Sequence, residues 1–305
     1  MYRKNFRFIL FLLFIPFALF AQEERSEKSF AVKPNGWLEL KADFGSVQVR
    51  SWPQNEVKIE VFKWVEGRQR RGAKELFEDY EIRYNQTERG VSVIAEMRGQ
   101  KFRRGNDGLQ VEFRINVPKQ YNLDLNTSGG SIEVDDLIGE VRVNTSGGSI
   151  DLRQAKGKLF ARTSGGGINV GEVSGDVDVE TSGGSIEVDG AAGNLRAHTS
   201  GGVSLRGLQG NVDASTSGGS MDAEILKQLD APCELSTSGG GITIYLSRDL
   251  KADIDAYTSG GEVDCDLPIT VQGKFGEGKL RGKLNGGGPL LTLRTSGGDI
   301  ELRSR

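Results

Sequence analysis

Apolar and polar residues alternate along most of the chain, and from Asn122 onward the alternation recurs in columns. Thr-Ser-Gly-Gly begins at Thr127, Thr145, Thr163, Thr181, Thr199, Thr216, Thr237, Thr258 and Thr295, at spacings of 18, 18, 18, 18, 17, 21, 21 and 37 residues. A period held over so many copies marks a repeat architecture. Four residues before the first eight threonines stand Leu123, Val141, Leu159, Val177, Leu195, Val212, Cys233 and Ile254; two before them stand Leu125, Val143, Ala161, Val179, Ala197, Ala214, Leu235 and Ala256. After the turn, Ile132, Ile150, Ile168, Ile186, Met221, Ile242 and Val263 form one column, and Val134, Leu152, Val170, Val188, Ala223, Ile244 and Cys265 another. Polar residues fill most positions between, so each period predicts two short strands with one buried face. In the 17-residue period the columns continue through Val203 and Leu205, one place early, which puts the deletion in the turn.

A second corner is predicted where Gly139, Gly157, Gly175, Gly193 and Gly210 each stand six residues before a threonine, plugged by residues such as Leu137 and Val173. The longer periods put their extra residues there, around Lys227 to Pro232 and Ser247 to Lys251. A one-faced strand cannot bury its face alone, but coils stacked in register about 4.8 Å apart enclose a thin core. The expected fold is therefore all-β: a single-stranded, flattened two-sheet parallel β-solenoid, right-handed by the crossover rule. The recurring threonine is expected to point inward, its hydroxyl bonding backbone or the threonine one coil away. The glycine pair is expected to supply the positive φ of a tight turn.

The region before the repeats keeps the alternation without the tetrapeptide. Strands are predicted at Trp37 to Lys41, Ser46 to Arg50, Glu56 to Val61, Tyr80 to Asn85, Val91 to Met97 and Leu109 to Val117, with a short helix around Ala73 to Phe77. Ser51 to Asn55 reads as the turn joining the second and third of these strands. Residues 22–121 are expected to cap the start of the solenoid, and residues 122–305 to form its body. Lys279 to Leu284, Leu290 to Arg294 and Asp299 to Arg303 are expected as hairpin-type closing strands at the far end.

Composition sharpens this picture. Gly is 43 of 305 residues and Pro only 7, which favours regular turns over a disordered linker. Arg3, Lys4 and Arg7 precede an apolar run from Phe8 to Phe20, too short for an ordinary spanning helix, so residues 1–21 read as a signal peptide cleaved after Ala21. No transmembrane segment is expected after cleavage. Loss of three basic residues moves the net charge from −3 to near −6, which argues against nucleic acid as a partner. Export invites a disulfide, but Cys233 and Cys265 are expected in buried columns on opposite strands, about one coil out of step, as free packed thiols.

No catalytic, cofactor-binding or metal site is assigned. Nine equivalent serines and the single His198, expected on the outer surface, single out no nucleophile. Glu133, Asp151, Asn169, Glu187, Asp222 and Asp264 form an outward column, expected to be solvated rather than cation-bound. The glycine pair is followed by Ser-Ile-Glu rather than Gly-x-Asp, which is not a calcium β-roll loop. On the opposite sheet, Asp124, Arg142, Phe160, Asp178, Arg196 and Asp213 are expected to pair unlike charges between coils and support register. Arg68, Arg70, Arg71, Lys74, Lys101, Arg103 and Arg104 form a basic cluster in two loops, read as solvated, the alternative being contact with acidic polysaccharide or lipid headgroups.

The strand Val111 to Pro118, then Asn122-Leu123-Asp124-Leu125, then Thr-Ser-Gly-Gly-Ser-Ile-Glu-Val with Leu-x-Gly-x-Val between turns, resembles the widespread bacterial domain of unknown function known as an adhesin-like domain. It is also similar to the head-GIN domains of Gram-negative envelope proteins. The likeness spans roughly Phe30 to Arg305, carries no catalytic residues, and implies a single-stranded β-solenoid at the cell envelope. The expected function is an exported, non-catalytic binding or scaffold protein whose partner is a glycan or an envelope protein. The alternatives are a polysaccharide-active β-helix enzyme, which would need acids converging in one cleft, and a self-assembling structural protein, which would need uncapped ends.

Overall fold

The computed structural model describes residues 23–66, 73–98, 108–271 and 276–305. The expected signal peptide lies outside the described residues, as do Arg68, Arg70, Arg71, Lys101, Arg103 and Arg104. The N-terminal elements are β1 (Glu23–Ala31), β2 (Trp37–Ala42), β3 (Ser46–Trp52), β4 (Glu56–Val65), α1 (Ala73–Asp79), β5 (Tyr80–Thr87), β6 (Gly90–Met97) and β7 (Leu109–Pro118). The repeats supply β8 (Asn122–Thr127), β9 (Ile132–Val134), β10 (Leu137–Ile138), β11 (Val141–Thr145), β12 (Ile150–Lys156), β13 (Leu159–Thr163), β14 (Ile168–Val173), β15 (Val177–Thr181), β16 (Ile186–Ala191), β17 (Leu195–Thr199), β18 (Val203–Leu205), β19 (Val212–Thr216), β20 (Met221–Ile225), β21 (Cys233–Thr237), β22 (Ile242–Leu246), β23 (Ala252–Thr258) and β24 (Val263–Cys265). The chain ends with β25 (Ile269–Val271), β26 (Lys279–Leu284), β27 (Leu290–Thr295) and β28 (Ile300–Ser304).

Strands before each Thr-Ser-Gly-Gly corner form a back sheet, and strands after it form a front sheet. Pairing between repeats is parallel and follows the 18-residue period: Val141 faces Leu123 and Leu159, and Ile150 faces Ile132 and Ile168. The aligned columns are the core. Ile150, Leu159, Ala161, Ile168 and their equivalents are nearly inaccessible to solvent, and the plugs Leu137 and Val173 close the second corner. Each large column residue contributes about 1.5–3 kcal/mol by burial, most of it offset by the entropy of ordering its coil.

Every threonine of the tetrapeptides is buried. Of the two expected partners the hydroxyl takes the backbone: Thr145, Thr163 and Thr181 donate to the carbonyls of Gly130, Gly148 and Gly166 in the preceding coil at 2.8–2.9 Å. The glycines do not have the expected role. Among the tetrapeptide glycines only Gly130 adopts a left-handed φ, 109°. What requires glycine is proximity, because a Cβ on Gly148 would lie 2.1 Å from the Gly130 oxygen, and one on Gly166 2.2 Å from the Gly148 oxygen. Coils at β-ladder spacing leave no room for a side chain aimed along the stack.

The ends differ from the sequence order. β27 lies between β21 and β23, and β28 between β22 and β24, so the last coil in sequence is the last but one in the stack. The closing strands β27 and β28 are therefore parallel insertions, while only β26 pairs antiparallel, with β23 and β25. The same nesting occurs at the start: β2 sits between β6 and β8, and β3 between β7 and β9. The turn after β3 consequently does not join paired strands, since β7 separates β3 from the antiparallel β4.

The stack edges are blunted. β1, unpredicted because it is almost wholly polar, covers β4 with Glu23, Glu24, Arg25, Glu27 and Lys28, and β24 and β25 are three residues long. Charged or very short edges resist pairing with a further strand. α1 packs against β4, β5 and β7, and the buried Lys63 donates to the Phe77 carbonyl at its C-terminal end and to Glu24.

Candidate functional site

The outer face of the front sheet carries polar side chains in register beside two open troughs. Its first column runs Gln48, Glu133, Asp151, Asn169, Glu187, Ser204, Asp222, Thr243, Glu301 and Asp264. A second holds Glu224, Tyr245 and Arg303 in register, preceded by Arg153, Gly171, Asp189 and Arg206, each of which follows the paired core residue Leu152, Val170, Val188 or Leu205. Both arise from strand alternation: the columns between these positions point into the core, so these must point out.

The carboxylates are not a bare ladder. Gln48 donates to Glu133 at 2.8 Å and Asn169 to Asp151 at 2.6 Å. Arg206 donates to both Glu187 (2.8 Å) and Asp189 (2.9 Å), and these two bonds hold its guanidinium well above its ordinary range. Arg303 is raised in the same way by Asp264 and then Glu301. Neighbouring amides and arginines thus relieve the repulsion that stacked acids would feel. Among the described residues no three metal-ligating side chains converge.

Two shallow troughs follow these columns. One, of about 250 Å³, lies over Glu133, Asp135, Asp151, Arg153, Gly171 and Asp189. Gly171 lies in its lining, where the coils approach so closely that a Cβ would lie 1.9 Å from the Arg153 oxygen. The other, of about 560 Å³, is bounded by Ser204, Arg206, Asp222, Glu224, Tyr245, Ser304 and Arg305. Arg305 is ion-paired to Glu224 across it, and Tyr245 stands 39% exposed at its side. Sequence reasoning missed this second trough, because Arg206, Tyr245 and Arg305 come from three different coils and no residue type repeats at their positions.

The back sheet places its outward residues as expected but pairs them differently. Arg196 approaches Asp213 at 3.6 Å, whereas Arg142 bonds Glu140 of its own coil at 2.6 Å and lies over the rings of Trp37 and Phe160. His198 faces outward, half-buried, with Nδ1 2.6 Å from Ser215 Oγ; Glu180, in register on its other side, is engaged by Arg162 at 3.5 Å. Lys74, the one described member of the basic cluster, is exposed near Glu78 on α1.

Cys233 is buried in β21, and burial pushes its thiol up to about 12. Cys265 is half-buried rather than enclosed and lies on the front sheet in β24, with the inserted β27–β28 coil between it and the coil of Cys233. The offset is thus two coils instead of one.

The family profile described as Toastrack DUF4097 matches residues 39–303. No curated protein matches the chain. Among solved structures, a candidate adhesin from Parabacteroides merdae is similar at 12% identity and a TM-score of 0.39, with 92% of this chain and 96% of that one covered. A candidate adhesin from Bacteroides fragilis is similar at 12% identity and a TM-score of 0.38, covering 92% and 97%. A candidate cell-adhesion protein from Clostridium sporogenes is similar at 15% identity and a TM-score of 0.24, covering 92% and 100%. No helix among the described residues is long and apolar enough to cross a membrane.

Proposed function

Since this chain belongs to the Toastrack family, a domain of unknown function, we propose that it is an exported, non-catalytic binding or scaffold protein of the cell envelope, with adhesin-like use of its long faces. The observation that carries this reading is the outer face of the front sheet, where paired acids, amides and arginines recur rung after rung beside two open troughs. Acids held by neighbouring amides and arginines suit recognition spread along a surface. Hydrolysis of a glycan instead needs two carboxylates set apart in one cleft with tuned proton affinities. Residues 1–21 act in this reading as the export signal, 22–121 as the capping start, and 122–305 as the binding body.

The test is a glycan-array and envelope pull-down screen with the purified protein. Specific retention of a glycan or an envelope protein is the expected result. Turnover of a polysaccharide, or retention of nothing, would overturn it.

A further inference from the structure

We propose that the front-sheet troughs bind an uncharged, β-linked glycan running along the solenoid axis, with Tyr245 as the stacking platform for one sugar ring. The inference rests on the binding reading above and names its ligand class and site. Four observations meet here. The troughs lie end to end along the front sheet, one over the coils of Glu133 to Asp189 and the other from Ser204 to Tyr245 with Arg305 at its side, which suits an elongated occupant better than a compact one. Successive rungs are about 4.8 Å apart, close to the advance of one pyranose along an extended β-linked chain, so each sugar meets one coil.

The larger trough offers the groups that hold a sugar. Tyr245 presents ring surface beside it, and aromatic faces take the apolar C–H face of a pyranose. Asp222 projects into the same trough with no ion-pair partner among the described residues, and its two oxygens can each accept a hydroxyl. Arg206 and Arg305 are already oriented by Glu187, Asp189 and Glu224, so little side-chain freedom remains to be lost on binding. Ser204, the smallest residue of the first column, leaves the floor open.

Charge selects the ligand class. Across the two troughs Glu133, Asp135, Asp151, Glu187, Asp189, Asp222 and Glu224 outnumber Arg153, Arg206 and Arg305, so the face they share is acidic and a polyuronate or sulfated chain would be repelled.

The experiment is isothermal titration of the purified protein with cellohexaose and chitohexaose as uncharged β-linked probes and oligogalacturonate as the anionic control. Tyr245→Phe keeps the ring, Tyr245→Thr removes it while retaining strand propensity, and Ser204→Arg fills the trough without deleting a contact. The expected outcome is binding of at least one uncharged probe, a loss of about tenfold or more for Tyr245→Thr and Ser204→Arg, and near-native affinity for Tyr245→Phe. Melting curves must show all three variants folded. Unchanged affinity in both Tyr245→Thr and Ser204→Arg would overturn the site while leaving a binding function in place. Absence of binding to either uncharged probe would overturn the ligand class, and the screen above then decides separately whether the protein binds anything.

Discussion

At each corner a buried threonine joins two coils through one hydroxyl. Gly184 donates to Thr181 Oγ1 at 3.4 Å, and that oxygen donates onward to Gly166 of the preceding coil at 2.8 Å. The glycine that accepts is the one whose Cβ would strike its neighbour, so the two halves of the tetrapeptide serve the same close approach. The two glycines are therefore not equivalent. Gly148→Ala is expected to cost about 2–4 kcal/mol, because backbone must shift to admit the methyl group, whereas Gly147→Ala, whose nearest contact would be 3.8 Å away, should cost less than about 1 kcal/mol. Urea unfolding of both variants checks this, and equal costs would contradict the proximity argument.

Titration gives a second residue-scale expectation. Burial pushes both the Cys233 thiol and the Tyr121 hydroxyl up to about 12. An unfolded chain ionises these groups near pH 9 and 10, where the folded chain still holds their protons. The stability they support is complete below pH 9 and is lost as pH rises toward 12. Cys233→Val, which restores the aliphatic column, should flatten part of that decline in unfolding experiments between pH 8 and 11.

At the scale of elements, the inserted coil is what attaches the C-terminal end. β24 pairs only with β28 among the described strands, and β23 only with β26 and β27. Asp255 of β23 ties the same joint through Arg281 (2.9 Å) and Arg294 (3.0 Å); burial opposes its ionisation, but these hydrogen bonds outweigh it and hold the carboxyl below the usual range. Deleting residues 290–305 should therefore abolish hydrogen-exchange protection across Ala252–Thr258 while β11 to β18 stay protected. Protection that survives in β23 would show that this segment docks without the insertion. Of the strands β25 to β28, local patterning made three legible, all but β25, but not where β27 and β28 dock. Any coil with the same column spacing can stack on any other, so register alone does not choose a neighbour.

Across the whole molecule, stability is a sum of similar neighbour contacts. Removing residues 163–180, one complete 18-residue period, joins Arg162 to Thr181 and leaves every column continuous. The shortened chain should keep a β-type circular-dichroism spectrum and a cooperative transition. Removing 163–179 instead leaves Glu180 as an extra residue inside the joined strand just before Thr181, so that one strand loses register with its neighbours and the melting temperature should fall below that of the 163–180 deletion, while the coils after Thr181 keep their own pairing.

The sequence alone determined the coil, because a two-residue alternation nested in an 18-residue period admits only stacked one-faced strands, and it placed Thr145, Ile150 and Glu133 on their proper sides. It also determined which residues face outward, and hence the first column of the candidate site. Tertiary structure decided the nesting of both ends, the reason for glycine at Gly148, and the trough that joins Arg206, Tyr245 and Arg305. Those depend on which coil lies above which and how closely, and contacts between distant segments leave no periodic trace in the chain.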